Sequence, residues 1–369
     1  MALEKLVIGV DSAGGDSIEI CQGRAIVEKP VVKRICLATL NTARKHPDVK
    51  FLIAGDIPEM MGYVADAGDN VDVFGCQKTR TANKLADRLK AGAINGFYTM
   101  GNTRDVDFAV AGIIGVPQEI RDIFPDIRIP PLVARIPKFK SVERTDSLYL
   151  LDVGAVPEYN KPEHYAALAH LGSIYAVVMG RINPRVGLVN MGKEANKGTP
   201  SLRDAYKLLE ALNREEIISF TGNVEPFTFT SDREKGSYKP RPVDVAVCSG
   251  DIGNYLIKGI SVGAGMVLER FKIAIEKKIR GKVGGYCFKP EFEEIKEDHQ
   301  KCAGAIFLGT NVVKDHGSTE FPEYGIEKCV MHVKNNVNER FKIQLRESKP
   351  RFDDAYARLP QLPARQRGD

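Results

Sequence analysis

The chain has no tryptophan, no Cys-x-x-Cys pair and no apolar stretch near the roughly 20 residues that a bilayer-spanning helix needs. It also lacks His-Glu-x-x-His, any other histidine pair at metal-ligand spacing, and the Gly-x-Gly-x-x-Gly dinucleotide fingerprint. A zinc centre and a nicotinamide site are therefore not expected, and any membrane contact has to be peripheral. The seven cysteines (Cys21, Cys36, Cys76, Cys248, Cys287, Cys302 and Cys329) are scattered and odd in number. With no signal-peptide pattern at the start, they read as reduced thiols of a cytoplasmic protein. Charge of one sign is also missing: 53 basic residues stand against 48 acidic ones, interspersed, for a net charge of +5. A basic face for nucleic acid is not expected.

What is present is an alternation of strand-like and helix-like patterns over 369 residues. Strands are expected at 6–10, 49–54, 96–100, 148–153, 186–189, 217–220 and 243–247. Helical spacing covers 24–44 (with Pro30 as a break or first-turn residue), 78–90, 162–178 and 202–212. That order predicts an α/β protein, a doubly wound, mostly parallel sheet with helices on both faces. A single domain over 1–345 is expected, with a surface loop at 226–242, a helical protrusion at 256–299 and a loose tail at 346–369 marked by three prolines.

Polar, glycine-rich segments follow five of these strands, where open α/β sheets place their ligands. After the first comes Asp11-Ser12-Ala13-Gly14-Gly15-Asp16, whose glycines allow close backbone approach and whose aspartates can orient a cation or a donor network. The plainer alternative is a tight turn with a helix cap. Gly101-Asn102-Thr103-Arg104 caps the next helix and aims its first N–H groups at a ligand; Arg104 either grips phosphate or faces solvent. Asp152-Val153-Gly154-Ala155 precedes Lys161-Pro162-Glu163-His164, with His164 either structural or catalytic. Arg185-Val-Gly-Leu-Val-Asn190 leads to Lys193, Lys197 and Gly198, lysines beside glycines that suit an anion. Cys248-Ser249-Gly250-Asp251-Ile252-Gly253-Asn254 closes the set, with Asn254 an oxyanion donor or a cap and Cys248 more a packing residue than a nucleophile. Lys314, His316 and Ser318 form a further anion-suited group.

In order and spacing these motifs resemble the phosphate acyltransferase family of bacterial phospholipid synthesis. The likeness spans residues 6–333 and includes Gly172-Ser173-Ile174-Tyr175, Pro184-Arg185-Val186-Gly187-Leu188 and Gly222-Asn223-Val224-Glu225. It implies a fold akin to isocitrate and isopropylmalate dehydrogenases, a homodimer, and transfer of an acyl group from acyl carrier protein or acyl-CoA to inorganic phosphate. No cofactor is implied. The family's Gly-Asn-Thr-Gly-Ala reads Gly101-Asn102-Thr103-Arg104-Asp105 here, and its Asp-Gly-Phe turn reads Ser249-Gly250-Asp251. Such changes leave the acyl donor open, with a short-chain thioester or a non-catalytic scaffold as alternatives.

On this reading Lys197 neutralises transition-state charge and Asn254 donates to the oxyanion. Phosphate and substrate contacts fall to Asp11, Gly14, Gly15, Asp16, Gly101, Asn102, Thr103, Arg104, Asn190, Gly198, Asn223, Gly253, Lys314, His316 and Ser318. In the protrusion, the cation-flanked turn at 279–288 is either a dimer arm or a peripheral membrane contact.

Overall fold

The computed structural model describes residues 5–22, 25–101, 103–137, 147–159, 161–226, 232–234, 237–239, 243–277, 287–290, 293, 297, 302–317, 319 and 321–359. The chain runs β1 (Leu6–Asp11), β2 (Ile18–Gln22), β3 (Ala25–Lys29), α1 (Val31–Lys45), β4 (Val49–Gly55), α2 (Ile57–Val64) and β5 (Val71–Gly75). A short 3₁₀ turn leads into α3 (Thr81–Lys90), then β6 (Gly96–Thr99), α4 (Thr103–Phe108) with a π-helical continuation to Ile114, and α5 (Gln118–Ile123). The second half holds β7 (Leu132–Pro137), β8 (Ser147–Leu151), α6 (Pro162–Val178), β9 (Arg185–Val189), α7 (Pro200–Arg214) and β10 (Ser219–Val224). It continues with β11 (Asp232–Glu234), β12 (Ser237–Lys239), β13 (Val245–Val247) and α8 (Gly250–Lys277). It ends with β14 (Ala305–Phe307), β15 (Val312–Lys314), α9 (Glu323–Lys334) and α10 (Val337–Ala357).

An 11-stranded sheet has the order β10-β9-β13-β8-β7-β14-β15-β6-β1-β4-β5. One block, β10-β9-β13-β8, is parallel throughout, and so is the other, β15-β6-β1-β4-β5. Between them β8–β7, β7–β14 and β14–β15 all pair antiparallel, so the two blocks point in opposite directions. The centre is short, because β14 and β15 have three residues each.

Both faces of the sheet are covered. Ile35, Leu168, Leu171, Leu209, Ile326 and Phe341 pack from α1, α6, α7, α9 and α10 onto one face. On the other, Ala82, Leu85, Val106 and Val110 from α3 and the α4 segment pack with Leu256, Ile257 and Ile260 of α8. α6 is buried without a break from Tyr165 to Gly172, which marks it as a central helix rather than an amphipathic surface one. Pro162 occupies its first turn, and Thr199 caps α7 by accepting from the Leu202 N–H at 3.3 Å.

Three expectations are corrected. The helical reading of 24–44 holds only from Val31; before Pro30 the chain forms the antiparallel hairpin β2–β3. The loop at 226–242 contains the small antiparallel pair β11–β12 among its described residues. The tail expected from 346 is helical through Ala357. There Phe341, Leu345, Phe352 and Ala355 recur at helical spacing and are buried, and Phe352 packs on Phe124 and His170 with ring centroids 5.1 and 4.6 Å apart. Burying such side chains contributes about 1.5–3 kcal/mol each, enough to carry the helix past Pro350. Residues 360–369 lie outside the described set.

Candidate active site

Two buried carboxylates organise the ends of β1 and β8. Asp11 accepts from the Ala13 and Gly14 N–H groups at 3.0 Å each and from the Thr99 hydroxyl at 2.7 Å. This ties the turn after β1 to the end of neighbouring β6. Gly14 is required by that proximity, since a Cβ there would run into the backbone of Gly101. Gly15 lies against Gly317, and the Asp16 N–H donates to the Gly317 carbonyl at 3.0 Å. The Arg34 guanidinium, from α1, donates to the carbonyls of Asp16, Gly317 and Thr319 and so bolts the β1 turn to the segment after β15.

Asp152, fully buried, follows the cis Leu151–Asp152 peptide bond. Its Oδ1 accepts from the N–H groups of Leu132, Gly154 and Ala155 at 3.1 Å each. Its Oδ2 accepts from the Val156 N–H at 2.7 Å and the Tyr159 hydroxyl at 3.2 Å. Burial raises the pKa of both Asp11 and Asp152, and these hydrogen bonds oppose the rise. α8 starts directly against the second turn. The Gly250 and Asp251 N–H groups donate to the carbonyls of Val156 and Pro157, and the Gly253 N–H to Ser249, at 2.9–3.0 Å. These donors of the first turn are thus engaged by the chain itself. Gly253 matters for another reason: a Cβ there would collide with the Asp152 carbonyl. One residue on, Asn254 is half-buried and faces Gly154.

α8 carries Lys258 across the sheet face to the opposite block. Lys258 bears on Lys314 and His316, which follow β15, and Asp16 bears on His316 in turn. The pKa of Lys314 is lowered by burial and by Lys258, against the pull of Asp107 and Asp315. That of His316 is lowered by burial, then by Lys258 and Lys314, against Asp16 and Asp315. Burial and neighbouring positive charge thus disfavour the charged forms of Lys314 and His316, which an anion seated beside them would relieve. Asp107 of α4 faces this group; its carboxyl is pushed up to about 7, by burial first and by Asp152, with Lys314 opposing.

The loops after β9 and β10 form the flank. The Asn190 amide donates to the Lys197 carbonyl at 3.1 Å, and its oxygen accepts from the Met191 N–H at 2.8 Å. The Asn223 amide donates to the Glu194 carbonyl at 2.8 Å. Both asparagines hold the shape of the 190–198 loop, and Gly198, at φ 83°, packs on Asn190. Lys197 is exposed on that loop. β9 and β13 are parallel neighbours, so the Lys197 loop and the first turn of α8 leave the same edge of the sheet.

The sequence-marked residues thus fall into three sets: Asp11, Gly14, Gly15, Asp16 and Gly101 with Lys314 and His316; Gly253 and Asn254 against the Asp152 turn; and Asn190, Lys197, Gly198 and Asn223 on the flank. Thr103 and Arg104 open α4. Asn102, Ser318 and the side chains of Thr103 and Arg104 lie outside what is described. Sequence reasoning missed Arg34, Asp107 and Lys258. Each sits in an ordinary helical stretch, and only tertiary packing brings it to the strand ends. Among the described residues no group of three His, Cys, Asp or Glu side chains is placed to hold a metal.

The family model for fatty acid synthesis protein matches residues 34–340. A phosphate acyltransferase of Enterococcus faecalis is 29% identical over 333 residues, covering 85% of this chain and 90% of its own length. A phosphate acyltransferase of Clostridium tetani is 30% identical over 276 residues, covering 73% and 75%. Among solved structures, a branched-chain phosphotransacylase from Enterococcus faecalis aligns with a TM-score of 0.47 at 12% identity, over 92% of this chain and 99% of its own.

Proposed function

The chain belongs to the fatty acid synthesis protein family, and from that premise we propose that it transfers an acyl group from a thioester to inorganic phosphate, forming an acyl phosphate and a free thiol. The observation that carries this reading is the group of Lys258, Lys314 and the His316 imidazole, gathered where the two sheet blocks meet. Phosphate held there is partly stripped of water and positioned for attack. A phosphate oxygen adds to the thioester carbonyl, the carbonyl oxygen becomes an oxyanion, and collapse breaks the carbon–sulfur bond. Asn254, beside Gly154, is suited to donate to the oxyanion. Lys197, exposed on the neighbouring loop, is suited to balance charge on the incoming group. The acyl donor is acyl carrier protein or acyl-CoA.

The outer part of α8 fits a homodimer. Val262, Met266, Val267 and Phe271 are each more than half exposed, an apolar surface that a second copy would cover. No helix among the described residues is long and apolar enough to cross a membrane. The turn at 279–288, of which 279–286 lie outside the described residues, is proposed as a peripheral lipid contact.

Hydroxylamine trapping of the acyl phosphate tests the reading. Purified protein with phosphate and acyl thioesters of graded chain length, on carrier protein and on coenzyme A, should yield acyl hydroxamate above the direct thioester background only when both protein and phosphate are present. Absence of phosphate-dependent hydroxamate from every donor rejects acyl transfer to phosphate.

A further inference from the structure

Asp107 belongs to none of the motifs in the sequence, yet its carboxyl is faced by a charged group from each block of the sheet. It lies on α4, half-buried, with one carboxylate oxygen (Oδ1) shut away from solvent and without a hydrogen-bond partner. A buried polar atom left unpaired costs about 1–3 kcal/mol and calls for an explanation, of which a missing substrate group is one. The charged groups that face it come from both blocks of the sheet: Lys314 at the end of β15 and Asp152 at the end of β8. Asp152 is already held by the backbone and Tyr159, and Lys314 is shared with Lys258 and Asp315. Neither pairing fills Oδ1.

The chemistry needs such a group. Monohydrogen phosphate gives up its proton when its oxygen becomes acylated, and the departing sulfur of an alkyl thiol has to gain one. Resting on the acyl-transfer reading above, we propose that Asp107 is the acid–base residue of the reaction, protonating the leaving sulfur and recovering a proton from the attacking phosphate. The carbon–sulfur bond breaks as the Asp107 proton moves to sulfur, and the carboxylate so formed takes the proton of the phosphate. Protons balance over one turnover, and Asp107 ends as it began. A carboxyl raised to about 7 by burial is poised for both directions of transfer. Lys258, Lys314 and His316 hold the anion and transfer no proton in this scheme.

The test compares two thioesters of one acyl chain, an alkyl thiol ester and a thiophenol ester, whose leaving group departs readily without protonation. In Asp107→Asn the alkyl ester should lose about 10²–10⁴ in kcat and the thiophenol ester less than about tenfold. The wild type should lose activity as pH rises through about 7, where the acid is lost; that limb should be missing in Asp107→Asn and present in Asp107→Glu. Comparing variants at each pH cancels the ionisation of phosphate itself. The two-ester ratio is internal to each variant, so partial loss of folded protein does not alter it. Equal losses on both esters, a wild-type rate, or an unchanged basic limb in Asp107→Asn would overturn the proposal while leaving acyl transfer standing. A wild-type protein inert on both esters would reject acyl transfer itself, and this proposal with it.

Discussion

Asp11 and Asp152 are the same device built twice, once in each block of the sheet. Each is a buried carboxylate at a strand end that collects the N–H groups of the turn after it. The difference lies in what else each holds. Asp11 joins two neighbouring parallel strands through Thr99, whereas Asp152 joins its own turn, the start of antiparallel β7 through Leu132, and Tyr159. The blocks point in opposite directions, so their turns meet only because the strands between are short and α8 crosses from one to the other. Asp152 stands where that crossing begins. A carboxylate in this setting is a piece of framework, and the chemistry belongs to the side chains that it positions.

The largest effect should therefore come from Asp152→Ala, which leaves four N–H groups and the Tyr159 hydroxyl without their acceptor. Urea unfolding should show a loss above about 3 kcal/mol, against about 1–3 kcal/mol for Asp11→Ala. Equal losses would break the comparison and make the two turns interchangeable. Next in size are the glycines that let each turn meet its neighbour. Gly253→Ala drives a methyl group into the Asp152 carbonyl and Gly14→Ala drives one into the Gly101 backbone. Each should cost about 1–3 kcal/mol, because backbone on the far side cannot step aside as a flexible side chain would. Acyl-phosphate formation by the folded fraction should fall in both. A neutral Gly253→Ala would show that α8 can tilt away from Asp152 without penalty.

The sequence made some of this plain and hid the rest for physical reasons. α6 was expected at 162–178 and is found over Pro162–Val178, because its proline start and unbroken apolar run are local signals. The strand ends with glycine and aspartate were equally legible, since tight turns demand particular residues. The hairpin β2–β3 carries helical spacing too: Ile26 and Val27 fit a helix as well as a strand, and nothing local arbitrates. From 346 on, the end of α10 resembles a tail because Pro350 and the surrounding charges outnumber Phe352 and Ala355, the apolar residues buried there. Asn190 and Asn223 stand in motifs that suggest substrate contacts, and their amides close the loop that presents Lys197. Asp107 and Lys258 were invisible. An aspartate or lysine in a helix has no local signature, and its meaning depends on which way the opposed half-sheets face.

If the carboxylates are framework, exposed side chains on the rim should affect rate without stability. Lys197→Ala should lower turnover at least tenfold, about 1.4 kcal/mol in barrier, with unfolding free energy within about 0.5 kcal/mol of wild type. The residue is exposed, so its removal opens no cavity. Hydroxamate assay and urea unfolding on one preparation check both halves of the statement. An unchanged rate would remove Lys197 from the site and leave the charge balance to Lys258, Lys314 and His316.

The smallest effect is expected at His164, beside the stronger of the two turns. Its ring stands edge-on to Tyr159 with centroids 5.4 Å apart, and both ring nitrogens are shut from solvent without partners. Burial lowers its pKa below 6.5, so the neutral ring is the folded form. His164→Phe keeps the ring contact and removes two unpaired polar atoms, a change that should alter stability at pH 7 by less than about 1 kcal/mol. The acid side is more telling. A histidine with a depressed folded pKa contributes stability that is complete above about 6.5 and lost as pH falls towards the folded value. His170 of the same helix and His332 of α9, both lowered to about 4 by burial, act in the same direction. Urea midpoints between pH 7 and 5 should thus fall less steeply in His164→Phe than in wild type. An unchanged slope would assign the acid sensitivity to His170 and His332. A collapse of acyl-phosphate formation at constant stability would instead move His164 from packing to chemistry, and make the Asp152 turn more than framework.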